Sequence, residues 1–66
     1  MNELDLKVLE FLKVSPDKAF NISEISRAME KAPPTIKRVV DRLAEEGYID
    51  IVDKKSMKLI ILKGAK

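Results

Sequence analysis

The chain has 66 residues, of which 45% are hydrophobic and 36% charged, with a formal net charge of +2. At this length only about 60% of the unfolded surface is buried on folding, so the chain makes one small domain, residues 1–66, with no room for an enclosed active site. Cysteine and histidine are both absent, which excludes disulfides, thiol nucleophiles and the usual zinc ligand sets.

No apolar run reaches the length of a membrane span, and the start lacks the basic-then-apolar order of a secretory signal. A cytoplasmic protein is expected. A first helix is expected over about residues 2–14, with Asn2 as its cap and Leu4, Val8, Leu9, Phe11 and Leu12 recurring at helical spacing. Leu6 and Val14 fall off that stripe. Ser15-Pro16-Asp17-Lys18 ends it, because proline disfavours helix in the residue before it.

Ala19-Phe20-Asn21 reads as a short extended piece able to pair as a minor strand. A second helix follows over about 22–30 with a complete start signal. Asn21 is the cap, Glu24 closes a capping box, and Phe20 is placed to meet Ile25 as a hydrophobic staple. Ile22, Ile25, Ala28 and Met29 share the inward face, with Ser23, Arg27 and Glu30 turned away.

Pro33-Pro34 suits the first turn of a third helix over about 33–46, since a missing amide hydrogen costs nothing there. Ile36, Val39, Val40 and Leu43 line its buried side. Gly47 ends it in the left-handed conformation, and Tyr48 folds back on Leu43. From there the period changes to two, and a hairpin is expected over about 48–62. Ile49 and Ile51 flank Asp50, Asp53-Lys54-Lys55-Ser56 forms a polar turn, and Met57, Leu59 and Ile61 alternate again. Ile60 and Leu62 make the last strand apolar on its other face as well.

Two features give this plan a chemical direction. Ile25, Met29 and Ile36 stand at offsets of zero, four and eleven, with small Ser26 after Ile25, the spacing that packs two helices across a short turn. Opposite the buried stripe of the third helix lie Pro34, Lys37, Arg38, Asp41, Arg42 and Glu45, with Thr35 at the flank. Basic groups occupy the first half, although Lys37, Arg38 and Arg42 are balanced overall by Asp41, Glu45 and Glu46.

On these residues the sequence resembles the winged helix-turn-helix regulators, including the MarR, ArsR and Lrp-type families. The stretches from Asn21 to Met29 and from Thr35 to Ile49 carry the resemblance, and the hairpin supplies the wing. It implies an α+β fold, three helices followed by a C-terminal β-hairpin wing, with the third helix in the major groove of double-stranded DNA. By chemical type Arg38 and Arg42 donate to guanine, Thr35 reaches a base edge or a phosphate, and Lys37 suits a phosphate. Lys54, Lys55 and Lys58 are the expected wing contacts, with Pro34 and Arg27 beside them on the DNA face.

The chain departs from the family pattern at two places. Glu30 stands where glycine often opens the turn, and a left-handed conformation there costs about 1–2 kcal/mol. Ala32 stands where serine or threonine often caps the recognition helix, a loss of about 1 kcal/mol. Leu6, Val14, Ile60 and Leu62 form an aliphatic surplus, which is either extra core or a homodimer interface of helix 1 and the last strand. The leading reading is a sequence-specific DNA-binding transcription regulator, with no enzyme activity, cofactor, metal, small-molecule ligand or membrane partner expected. A protein-interaction module and a nonspecific chromatin protein are the alternatives.

Overall fold

A computed structural model describes residues 2–63 and opens with α1 over Glu3–Val14. The tail Gly64-Ala65-Lys66, read above as frayed, lies outside the described residues. The Asn2 side chain caps α1 by accepting from the Asp5 amide at 2.9 Å, and Val8, Leu9 and Leu12 turn inward. Leu6 and Val14 are exposed, as their place off the stripe predicts.

β1 covers only Phe20–Asn21 and leads directly into α2, Ile22–Met29. Both arms of the expected capping box form: Glu24 N donates to Asn21 Oδ1 at 2.8 Å, and Asn21 N donates to Glu24 Oε1 at 3.0 Å. Phe20 and Ile25, the staple pair, are both buried in the core. Phe20 also packs at 51° on the half-buried Phe11 ring, with centroids 5.0 Å apart. Ala28 corrects the expected inward face of α2, because it is exposed while Ile25 is buried and Ile22 and Met29 are half-buried. Ser26 takes the fourth inward place instead, buried next to Ile25.

Glu30 takes the left-handed conformation foreseen for it, φ 57°, ψ 44°. Ser26 secures the turn from both sides: its hydroxyl donates to the Lys31 carbonyl at 2.8 Å and its carbonyl accepts from the Lys31 amide at 3.1 Å. α3 follows over Pro33–Glu45 without a side-chain cap at Ala32. The missing cap is as expected, and its cost should fall short of the full increment. Pro33 and Pro34 remove two of the amide donors a cap would serve, and the Thr35 amide already donates to the Ala32 carbonyl at 3.0 Å.

At its other end α3 closes with a Schellman arrangement. Gly47 sits at φ 88°, its amide donates to the Ala44 carbonyl, and the Tyr48 amide donates to the Leu43 carbonyl at 2.9 Å. The backbone folds back as expected, while the Tyr48 side chain remains exposed.

The hairpin consists of β2, Ile49–Lys54, and β3, Met57–Leu62, joined by Lys55-Ser56. The sheet order is β1-β3-β2, all antiparallel, so β3 is central and β2 is an edge. Register pairs Ile51 with Ile60 and Phe20 with Ile60, which places Ile60 at the middle of the core. Ile49, Ile51, Ile60 and Leu62 therefore face the helices, and Val52, Met57, Leu59 and Ile61 lie on the outer face. The reading of Ile60 and Leu62 as surplus for a dimer is corrected accordingly: Ile60 is fully buried and Leu62 packs against the core. Core and hairpin together hold the inner side of α3, through Ile36, Val39, Val40 and Leu43.

Candidate nucleic-acid interface

The outer side of α3 divides along its length. Its first turn carries no acidic residue, which leaves the positive end of the helix dipole uncompensated. Pro34, Lys37 and Arg38 are exposed on this half, and Thr35 is half-buried at its flank. Lys37 donates to Asp41 at 3.2 Å across one exposed turn, a pairing weak enough to yield to a phosphate. Arg38 has no ion-pair partner among the described residues, so its forked donors face solvent.

Arg42, expected to stand free beside Arg38, is committed elsewhere. Its guanidinium forks onto Asp5 of α1, with Nη2 to Oδ1 at 2.8 Å and Nε to Oδ2 at 3.2 Å. The Asp5 side chain is only 3% exposed, whereas that of Arg42 is 45% exposed. The hydrogen bond from Arg42 holds the Asp5 carboxyl below its ordinary pKa, more strongly than burial raises it. The same bond raises the pKa of Arg42. Arg42 therefore fastens α3 to α1 in the first place, and only its outer N–H groups remain for another acceptor.

α2 adds a second strip of donors. Arg27 is exposed and lines an open depression with Ser23, Ser26, Glu30, Lys31 and Pro33, which runs to the start of α3. The wing lysines do not act from one face. Lys55 is at the tip, in the left-handed region at φ 55°. Lys58 is half-buried on the inner face opposite Asp53, across a groove from Asn21 and Ser23. Lys54 lies on the outer face, paired in register with Met57.

Arg27 thus meets the start of α3 around one depression, and Pro34, Lys37 and Arg38 are exposed along α3 with Thr35 at the flank. Lys58 lies across a groove from Ser23, and Arg42 and Lys54 are drawn off by the tie to Asp5 and by the outer face of the hairpin. Asp5 and Lys31 escaped the reading of the sequence. The signal for Asp5 was present: it stands at helical spacing from Val8, Leu9 and Leu12, and a carboxylate inside an apolar stripe calls for a buried cation partner. Lys31 carried no signal, because only the turn geometry brings it beside Arg27.

A family model described as winged helix-turn-helix DNA-binding matches residues 1–50. Among solved structures, the chain is similar to MepR, a transcription regulator of the Staphylococcus aureus multidrug efflux pump MepA. The two are 20% identical with a TM-score of 0.85, over 98% of this chain and 49% of that one. The PcaV transcriptional regulator of Streptomyces coelicolor gives 22% identity and a TM-score of 0.84, over 97% of this chain and 46% of that one. Dissimilatory sulfite reductase D is equally similar at 22% identity and a TM-score of 0.83, over 98% of this chain and 92% of its own. The chain spans about half the length of the two regulators, and at these identities the likeness is one of fold. No curated protein matches the sequence.

Proposed function

The chain belongs to the winged helix-turn-helix DNA-binding family, and from that premise we propose that it is a cytoplasmic transcription regulator that reads a specific duplex sequence with the first half of α3. One observation carries the reading: Arg38 is exposed beside an uncompensated helix N-terminus and has no ion-pair partner among the described residues. An arginine so placed has its planar fork available for the O6 and N7 acceptors of guanine. Thr35 and Pro34 flank it, Lys37 and Arg27 take phosphates on either side, and Lys55 and Lys58 follow the backbone from the wing. Arg42 leaves the set of base readers and Lys54 the set of wing contacts in this reading.

Selection of bound duplexes from a random pool, followed by anisotropy titrations at two salt concentrations, tests the proposal. The parent should enrich one site and bind it with a clear salt dependence. Arg38→Ala should weaken that site by about 1–3 kcal/mol and relax one base position, while Arg27→Ala should weaken all sequences alike. Equal retention of every duplex would replace this reading with nonspecific, backbone-driven binding. No retention at all would favour a protein-interaction module, which the balanced charge of α3 also suits.

A further inference from the structure

β2 is an uncovered edge strand, and its backbone and side chains restrict what can pair with it. The Lys63 amide donates to the Tyr48 carbonyl at 3.0 Å, so the hydrogen-bonded pairs of the hairpin are those containing Tyr48, Asp50, Val52 and Lys54. Ile49, Ile51 and Asp53 consequently direct their N–H and C=O groups toward the free edge. An added antiparallel strand must oppose these residues with outward-directed residues of its own.

Consider a second copy of this chain in that position. Placing Asp50 or Asp53 on the two-fold axis sets like charges directly opposite each other, which is unfavourable. Placing Ile51 on the axis sets Asp50 against Val52 and forms no pair of opposite charges within the strand. The register that opposes Ile51 to Asp53 of the second copy has a different outcome: Val52 meets its own symmetry mate, and Asp50 meets Lys54, twice. These are non-hydrogen-bonded pairs, in which Cα atoms approach to about 4.5 Å and side chains lie closest. Val52 is 39% exposed and sits beside Leu59 on the outer face, next to the exposed Met57. On its outer face the seam is therefore apolar at its centre and oppositely charged at both ends, while on the inner face Ile51 and Asp53 stand opposite each other twice.

From this self-complementary order we propose that β2 pairs with β2 of a second copy, joining two three-stranded sheets into one of six with both helical layers on the same side. Charges on an edge strand ordinarily block such pairing; here their spacing selects one register. Lys63 lies 3.9 Å from Asp50 within the chain, too long a contact to saturate that carboxylate. The exposed apolar residues of α1 offer no rival seam. Leu6 and Val14 are separated by about 12 Å along the helix and about 80° around it.

The inference does not depend on DNA binding and is tested without DNA. Sedimentation equilibrium of the full chain at submillimolar concentration should show reversible dimers. Lys54→Asp and, separately, Asp50→Lys should each weaken dimerisation about tenfold, and the exchange of both together should restore it. Far-UV circular dichroism would verify that each variant is folded, and agreement between the two single variants guards against a local defect in either. A monomeric parent, single variants that associate like the parent, or a double variant that fails to recover would each overturn the proposal.

Discussion

The two halves of α3 are built for different tasks. From Asp41 to Gly47 the helix is tied down: Arg42 forks onto the buried Asp5, Leu43 fills the core, and Gly47 closes the last carbonyls. From Pro33 to Arg38 the outer side is held by nothing stronger than the Lys37–Asp41 contact. The inner side is continuous across both halves, through Ile36, Val39, Val40 and Leu43. The difference shows how a small protein presents cations rigidly: the immobilising contacts are concentrated at one end, and the other end is left with its donors unspent.

The most severe way to break this division is to remove the tie. Asp5→Ala should cost about 2 kcal/mol in urea unfolding, the scale of a charge-assisted hydrogen bond, with Arg42 left to seek water. That corresponds to a melting temperature lower by about 10 °C. Arg38→Ala should leave stability within about 0.5 kcal/mol, because nothing in the fold leans on it. The tie should also show in acid. Its folded carboxyl titrates below the ordinary range of an aspartate, so the unfolded chain takes up the proton first as pH falls. The contribution is complete above the unfolded pKa and is lost as pH drops through the folded one. Urea midpoints measured from about pH 6 to about pH 3 should fall for the parent, and less steeply for Asp5→Asn.

Gly47→Ala probes the same end at a smaller scale. A Cβ there would meet nothing within 4 Å, so the whole penalty comes from φ 88°. About 1–2 kcal/mol of destabilisation is expected in thermal or urea melts. Glu30→Gly probes the presenting end and should act in the opposite direction. Relief of the left-handed turn at φ 57° should stabilise the protein by about 1 kcal/mol. It also removes a carboxylate from the depression that holds Arg27 and Lys31, so binding to any duplex should tighten in the same titrations.

Local signals in the sequence were sufficient for the framework. The capping box at Asn21, the paired prolines before α3, Gly47 and the change of period after Tyr48 each act over a few residues, and a single chain displays them without its tertiary partners. The site was less legible because its chemistry is decided between distant elements. Arg42 looks like Arg38 along α3, and only the approach of α1, 37 residues away in sequence, distinguishes the anchored arginine from the one proposed to read bases. The wing lysines look like one cluster until pairing in the hairpin sends Lys54 and Lys58 to opposite faces. Likewise the apolar residues of β3 run on from Leu59 to Leu62 without a break, so nothing within that strand says whether Ile60 or Leu59 is inside; Phe20, reaching in from β1, decides it.

The smallest expected effect concerns the start of α3, where a rule read from sequence and the geometry of the chain part company. A serine introduced at an N-cap ordinarily contributes about 1 kcal/mol over alanine. At Ala32→Ser the new hydroxyl would find prolines at the first two helical positions and one remaining amide, that of Thr35, already bonded to the Ala32 carbonyl. The gain in a urea melt should therefore stay below about 0.5 kcal/mol. A full capping increment would mean that the Thr35 bond is dispensable and that the presenting half of α3 is less settled than its prolines make it. The measurement is sharpest in a Pro34→Ala background, where the returned amide at the second position gives the serine a donor to accept from and should recover the ordinary increment.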